Sequence, residues 1–159
     1  MINNDTTWQI HQKYMAQALS LAEIAFDEDE VPIGAIIVHE NKIVGKGYNQ
    51  VQKLNDPTAH AEMIAISAAT QTIGQKYIKD ATMYVTLEPC PMCAAALVWS
   101  KIGRVVYAAS DASYGACGSI YHLHQDHHLN HKFEVIQGIL EMDSEYLLKS
   151  FFQKKRTQQ

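Results

Sequence analysis

Two short segments of the 159-residue sequence contain the residue types that could do chemistry. The first, PTAHAEMIAI, places His60 and Glu62 two positions apart, and the second, TLEPCPMCAAAL, places Cys90 and Cys93 in a C-x-x-C spacing. Zinc prefers nitrogen and sulfur ligands in a tetrahedron, and a catalytic zinc site keeps three protein ligands and one open position for water. We therefore interpret His60, Cys90 and Cys93 as the protein ligands of a catalytic zinc ion.

Glu62 lies two positions beyond a proposed ligand, so its carboxylate is placed to face the metal's water rather than the metal itself. Zinc lowers the pKa of a bound water toward neutrality. Glu62 would accept a proton from this water, pass it to a ring nitrogen of the substrate and then protonate the departing amine. The reaction that this pattern predicts is hydrolytic deamination.

Simpler interpretations of the two segments leave part of the pattern unexplained. A redox-active C-x-x-C pair gives no role to His60 and Glu62, and a structural zinc site lacks a fourth ligand close to the other three. A non-catalytic zinc-binding module is the alternative from a different functional class, and Glu62 argues against it. The joint pattern H-x-E with P-C-x-x-C favours the catalytic site.

Two other features contain metal-binding residue types but are expected to serve packing or the surface. The segment HLHQDHHLNH, residues 122–131, has clustered histidines but lacks a framework that would fix a coordination geometry. Cys117 lies in a glycine-rich loop and is expected to be a small packed thiol, because a fourth protein ligand would displace the zinc-bound water.

The hydrophobic pattern predicts the elements that would position these residues. Helices and strands alternate after an opening hairpin, which implies crossover connections and parallel strands. We expect an α/β fold, namely a three-layer α/β/α domain with a mixed sheet of about five strands. The predicted helices are residues 7–26, with Asp5 and Thr6 as cap candidates, 60–70, 91–100 and 143–156, and the predicted strands are 34–39, 42–48, 81–87, 104–109 and 133–138.

Both chemical segments fall at the start of a predicted crossover helix. If the strands that precede these helices are adjacent and parallel, the two helix starts meet at one edge of the sheet. The unpaired N–H groups and positive dipole end of a helix favour the thiolate forms of Cys90 and Cys93. Pro91 suits the first helical turn, where its missing N–H costs nothing.

Length and composition favour a single globular domain over residues 1–159, since 47% of the residues are apolar and the chain is short for two well-packed domains. No apolar run approaches the roughly 20 residues needed to cross a bilayer, and the N-terminal segment lacks a signal-peptide pattern. The net charge of −4 argues against a broad basic surface. We therefore expect a cytoplasmic protein that does not contact membranes.

Three segments, DPTAHAE, YVTLEPCPMC and IGRVVYAASDASYGACGS, together resemble the bacterial tRNA-specific adenosine deaminases, and the resemblance extends over nearly the whole chain. It implies the cytidine-deaminase-like fold, a homodimer, and conversion of adenosine to inosine at the wobble position in a tRNA anticodon stem-loop. It also implies one zinc ion per chain, bound by His60, Cys90 and Cys93, with Glu62 as the proton carrier.

The resemblance assigns roles to three further residues. Asn49 matches the asparagine that contacts the flipped base, and Asp111 matches the aspartate of an RNA-contacting loop. Phe151 matches an aromatic residue of the C-terminal helix that borders the anticodon nucleotides. All three are expected to bind substrate.

The sequence also departs from the pattern of these deaminases. Ser110 and Ser113 stand where the family commonly has basic residues, and NQVQKLN is poor in arginine, so fewer phosphate contacts are expected. The basic C-terminal tail, with Lys149 and residues 154–156, partly offsets this loss. The alternative function is a free-base or nucleoside deaminase of the guanine or cytosine type, which would need a closed pocket instead of an RNA groove.

Overall fold

The computed structural model describes residues 4–159, which form a five-stranded mixed sheet between two layers of helices. A one-turn 3-10 helix, Leu123–Gln125, lies in the histidine-rich segment. The strands are β1 (Gly34–His39), β2 (Lys42–Tyr48), β3 (Thr82–Leu87), β4 (Arg104–Ala109) and β5 (Glu134–Gln137). The helices are α1 (Asn4–Asp27), α2 (Val51–Leu54), α3 (Ala61–Ile73), α4 (Pro91–Trp99) and α5 (Glu141–Thr157).

The strand order is β2-β1-β3-β4-β5, with β1 antiparallel to both of its neighbours and β3, β4 and β5 parallel to one another. The expectation that adjacent strands precede the two chemical segments is wrong, because β1 lies between β2 and β3. The hairpin turn places β2 at the sheet edge, so the connection through α3 crosses over β1 to reach β3. The two strands still point the same way, and the starts of α3 and α4 therefore lie at the same edge of the sheet.

Alternation of buried side chains along the strands separates two cores, one on each face of the sheet. On one face, Ile37 and Met83 pack with the alanine-rich inner sides of α3 and α4. On the other face, Ile36 and Tyr84 pack with Met15 and Ala18 of α1. Helix α5 contacts β4 and α1 on this second face. The predicted three-layer α/β/α fold with a mixed sheet of about five strands is confirmed.

Close contact between β2 and α3 fixes the position of the first chemical segment. A Cβ atom at Gly47 would collide with the carbonyl oxygen of Ala61, the first residue of α3. Only glycine lets the strand and the first helical turn approach this closely. This contact seats the turn of α3 that carries Glu62 directly on the sheet.

Several predicted boundaries differ from the structure. Helix α1 begins at Asn4, so Asp5 and Thr6 lie inside its first turns and the cap assignment is wrong. Helix α3 runs three residues beyond Thr70 and ends where Gly74 adopts a φ of 76°. Helix α2 was not predicted, because a four-residue helix has too little periodicity to detect. In the described part of the chain, no helix combines the length and the hydropathy that a membrane crossing requires.

Candidate zinc and catalytic site

The starts of α3 and α4 bring His60, Cys90 and Cys93 into a triangle. His60 is the N-cap residue of α3 and Cys90 is the N-cap residue of α4, where Pro91 occupies the first helical position. His60 Nδ1 lies 3.7 Å from Cys90 Sγ and 3.5 Å from Cys93 Sγ. Zinc bonds of about 2.3 Å to sulfur and about 2.0 Å to nitrogen at a tetrahedral angle place the two ligand atoms about 3.5 Å apart. The triangle therefore fits a zinc ion bound through His60 Nδ1 and both sulfur atoms.

In the absence of zinc, hydrogen bonds link these three side chains. A hydrogen bond donated by the Cys93 thiol is the largest of several contacts that lower the pKa of Cys90 to about 4. The same hydrogen bond, together with burial, raises the pKa of Cys93. Contact with Cys90 also raises the pKa of His60. Thiols bind zinc as thiolates. A bound zinc ion would therefore displace these protons and neutralise the negative charge of the thiolates.

Glu62 lies beside the triangle in the first turn of α3, and its side chain is almost fully buried. Burial raises the pKa of the Glu62 carboxyl to about 7, and the carboxylate is within hydrogen-bonding reach of the Cys93 thiol. A carboxyl group with a pKa near neutrality can accept and donate a proton with similar ease at neutral pH. Glu62 therefore has the position that a group shuttling protons at this site needs, and in the metal-free protein its pKa lies near neutrality.

A cavity of about 1050 Å³ opens beside the triangle and is lined by His60 and Asn49, with Val31, Ile33 and Phe151 among its apolar walls. Asn49 is 6% exposed, and its Nδ2 donates to the Val31 carbonyl oxygen at 3.4 Å. The Oδ1 atom of Asn49 is buried and has no hydrogen-bond partner among the described residues. An acceptor left unpaired in this way is costly unless a ligand N–H reaches it.

Phe151 lies on the buried face of α5 and forms part of the cavity wall. Its side chain is 4% exposed and packs edge-to-face against Phe26, with ring centroids 6.0 Å apart. Phe151 therefore joins α1 and α5 and also supplies apolar surface beside His60.

Over most of its length, the chain is similar to known proteins. A model of the cytidine and deoxycytidylate deaminase zinc-binding region matches residues 8–109. A tRNA-specific adenosine deaminase from Haemophilus influenzae is 42% identical over 149 residues, which is 93% of this chain and 86% of that protein. The chain belongs to the tRNA-specific adenosine deaminase family.

This deaminase also resembles solved structures. A structure from a study of A-to-I editing by tRNA:A34 deaminases at the wobble position of transfer RNA has a TM-score of 0.83 and 39% identity, covering 86% of this chain and 99% of that one. The guanine deaminase from Nitrosomonas europaea has a TM-score of 0.76 at 21% identity, covering 88% of this chain and 83% of that one. This second likeness shows a shared fold.

The structure of the deaminase does not place Asp111 on the cavity wall. The Asp111 carboxylate instead accepts hydrogen bonds from the backbone N–H groups of Ser113 at 2.9 Å and Tyr114 at 3.1 Å. This is the turn-forming role that an aspartate often has after a strand. Asp111 thus shapes the loop that follows β4, and that loop lies beside the zinc segment rather than inside the cavity.

Sequence reasoning missed Glu88, which connects that loop to the zinc segment of the deaminase. Glu88 is 2% exposed and directly precedes Pro89 and Cys90. Its carboxylate accepts from the backbone N–H groups of Asp111, Cys117 and Ser119 and from the Ser119 hydroxyl. A glutamate at the end of a buried strand was the available signal, because a buried carboxylate needs several donors.

Sequence reasoning also missed Glu30, which lies in the turn after α1. Glu30 is 1% exposed and lines the cavity. Its carboxylate accepts from the backbone N–H groups of Gln52 at 2.7 Å and Lys53 at 3.3 Å, which are free donors at the start of α2. Glu30 therefore ties α2 to the turn after α1 and shapes the wall next to Asn49.

The remaining cysteine and the histidines behave as packing or surface groups in the described structure. Cys117 is buried in the core of the α3 and α4 face and is not part of the ligand triangle. His124 is buried beside Phe133, with ring centroids 6.0 Å apart. Asp126 approaches His127 and His128, but both histidines are exposed and the Asp126 carboxylate accepts from the His128 backbone N–H.

Burial of Glu62 makes a prediction about the stability of the metal-free protein. The Glu62 carboxyl holds its proton up to a pH of about 7 in the folded state, against an ordinary pKa of 4.5, so the folded state binds more protons between these values. Stability is therefore lost as the pH rises from about 4.5 to about 7, by up to about 3 kcal/mol. Glu62→Gln carries no charge, so we expect it to raise the Tm of the zinc-free protein clearly at pH 8 and little at pH 5.

Thermal unfolding of the chelator-treated wild type and variant at both pH values measures this difference. Glu23→Gln, an exposed change on α1, is the matched control and should leave the Tm almost unchanged. Equal effects of Glu62→Gln on the Tm at the two pH values would mean that ionisation of Glu62 does not destabilise the folded protein.

Proposed function

We propose that the protein is a zinc-dependent hydrolytic deaminase that converts adenosine to inosine at the wobble position of a tRNA anticodon, with one zinc ion per chain. The observation that supports it most is the His60, Cys90 and Cys93 triangle with Glu62 buried beside it. The 42% identical relative from Haemophilus influenzae is named a tRNA-specific adenosine deaminase, which supports the substrate. Zinc, when bound, would supply a water of near-neutral pKa at the triangle.

Each residue of the site has a separate role in this proposed reaction. His60, Cys90 and Cys93 would hold the metal. The buried Glu62 carboxylate would take a proton from the attacking water and deliver it to the purine ring, then take that water's second proton and deliver it to the amine, which leaves as ammonia. Asn49 Oδ1 accepts a hydrogen bond from the flipped base. Phe151 and Ile33 supply apolar walls that exclude water from the ring.

Two lysines at the cavity edge support RNA over a free base or nucleoside, although both pair with carboxylates. Lys53 and Lys155 both line the cavity, and Lys154 and Arg156 lie in the same last turn of α5 as Lys155. A small neutral substrate makes no use of such cations, whereas phosphates bind them. Asp111 is proposed to contact the RNA from the loop after β4, which Glu88 holds in place.

Two further properties are part of this proposal. A homodimer is supported by the family resemblance and by exposed aromatic side chains such as Trp99, which is 71% exposed. Cytoplasmic location follows from a tRNA substrate. Sedimentation of the zinc-loaded protein measures the oligomeric state, and a monomer at micromolar concentration would contradict the dimer.

A product assay tests the function. Zinc-loaded protein is given an anticodon stem-loop with a wobble adenosine, and in parallel free adenine, guanine, cytosine and their nucleosides. Inosine in the RNA alone is the expected result. Turnover of a free base or nucleoside with intact RNA would overturn the tRNA assignment and support the alternative deaminase.

Asn49 provides a sharper prediction about base recognition. We expect Asn49→Ala to lower kcat/KM for the stem-loop by about 10-fold or more, since a lost hydrogen bond in a closed site costs about 1–3 kcal/mol. The Tm should fall only modestly, because the buried Oδ1 has no partner among the described residues and the Nδ2 contact with the Val31 carbonyl oxygen is long, at 3.4 Å. Asn130→Ala, an exposed change outside the cavity lining, is the control. A fall in Tm without a fall in kcat/KM would assign Asn49 to structure alone.

A further inference from the structure

Two ion pairs stand at the edge of the cavity. Lys53 Nζ lies 3.3 Å from a Glu28 carboxylate oxygen, and Lys155 Nζ lies 2.6 Å from an Asp29 carboxylate oxygen. All four residues line the cavity that His60 and Asn49 share. Each pair therefore lies where a substrate larger than one nucleoside would have to pass.

The two lysines belong to different elements but pair with the same turn. Lys53 lies in α2, which Glu30 holds through backbone hydrogen bonds. Lys155 lies in the last turn of α5, with its Nζ 5.5 Å from the centroid of the Phe151 ring. Glu28 and Asp29 follow each other in the turn after α1, where Asp29 adopts a φ of 64°. The turn thus presents two carboxylates to two lysines of different elements.

These pairs are exposed and therefore easily exchanged. The Lys53 and Glu28 side chains are 51% and 35% exposed, and the Lys155 and Asp29 side chains are 37% and 58% exposed. Exposed ion pairs contribute about 0–1 kcal/mol because water screens them and ordering the side chains costs entropy. A phosphate that approaches either lysine can replace the carboxylate at little cost, since both partners offer anionic oxygens.

The balance of charge around the cavity is unusual for an RNA-binding surface. Glu28, Asp29 and Glu30 are its acidic lining residues, whereas Lys53 and Lys155 are the lysines. An arriving phosphate therefore meets carboxylates that repel it as well as cations that attract it. Contacts between phosphates and the lysines therefore have to outweigh this repulsion.

We propose that Glu28 and Asp29 act as specificity-determining residues, which occupy Lys53 and Lys155 until two phosphates of one RNA strand displace them. This inference rests on the proposed function and concerns how its substrate is selected. A free base or nucleoside displaces neither carboxylate, and a mononucleotide can displace one. The displaced carboxylates remain near the phosphates and weaken RNA binding. The enzyme therefore binds RNA less tightly but selects a polyanion over a free base, nucleoside or mononucleotide.

The test measures RNA affinity in zinc-loaded, full-length protein, with Glu62→Gln present throughout so that the RNA is not converted. We expect Glu28→Gln with Asp29→Asn to bind a fluorescent anticodon stem-loop about fivefold more tightly at about 50 mM salt. The gain should shrink as salt is raised, because exposed charges are then screened. Glu40→Gln with Asp80→Asn makes the same change in net charge at the opposite end of the sheet and should have little effect.

The lysines provide a second arm with an independent readout. Lys155→Gln should weaken binding and reduce the slope of log affinity against log salt by about 0.7–0.9, the value for one phosphate contact. Asp29→Asn added to Lys155→Gln should give a smaller gain than it gives alone, since the carboxylate then has no lysine to occupy.

Each result of these binding measurements either supports or overturns the inference. Equal or weaker binding by the Glu28 and Asp29 variant, relative to the Glu40 and Asp80 control, would overturn it and show that the carboxylates hold the lysines ready for RNA. Conversion of the stem-loop by the unmodified protein, measured separately, keeps the proposed function in that case. If the unmodified protein neither binds nor converts the stem-loop, the proposed function and this inference both fail.

Discussion

Glu62→Gln is expected to lower the rate of stem-loop deamination by about 10²–10⁴-fold while zinc content stays at one ion per chain. The glutamine amide keeps the size and burial of the side chain but cannot accept a proton from water or deliver one to the departing amine. Glu62 is not one of the three ligand residues, so the metal should stay bound. Single-turnover rates with metal analysis of the same samples measure both quantities.

Two controls separate proton transfer from folding. Glu62→Gln should show wild-type affinity for zinc and an intact thermal transition, and Glu23→Gln should show wild-type rates. A fully active Glu62→Gln enzyme would show that the proton carrier is another group. Loss of zinc from this variant would instead make Glu62 part of the metal site.

Cys90→Ala is the second change with a very large expected effect, namely loss of zinc and a fall of the deamination rate to the background level. The remaining His60 and Cys93 are only two protein ligands, and catalytic zinc sites use three. Because zinc binding adds to folding free energy, a chelator should lower the Tm of the wild type but not that of Cys90→Ala.

Cys117→Ala is the matched control for the cysteine change. Cys117 is buried but lies outside the ligand triangle, so this variant should keep its zinc and its activity despite a small loss of packing. Zinc retained by Cys90→Ala, or lost from Cys117→Ala, would contradict the ligand assignment.

The metal triangle could be predicted from the sequence because residue type and helix position encode it locally. His60 and Cys90 each sit at a helix start, where backbone conformation and the preceding strand are set by neighbouring residues. The alternation of helices and strands along the sequence likewise encodes the three-layer fold. The prediction did not need the correct strand order, because β2 and β3 point the same way whether or not β1 lies between them.

Tertiary contacts account for the parts that sequence reasoning missed. Glu30 resembles the glutamates of any exposed turn, and Glu88 differs from them only in following a buried strand, until the chain folds and supplies backbone donors distant in sequence. The turn-forming bonds of Asp111 are local, but the place of its loop beside the zinc segment depends on the distant Glu88 carboxylate. The ion pair between Lys155 and Asp29 joins residues 126 positions apart, so no local sequence pattern predicts it.

The measurement that tests the central claim most directly is the deamination of a full tRNA transcript in water enriched in heavy oxygen. Zinc-loaded protein is incubated with a transcript that carries adenosine at the wobble position and with a matched transcript that carries guanosine there, and mass spectrometry locates the product. We expect inosine at that one position in the first transcript, with its new oxygen drawn from the labelled water. An unmodified wobble adenosine, together with turnover of free guanine or cytosine by the same preparation, would contradict the account.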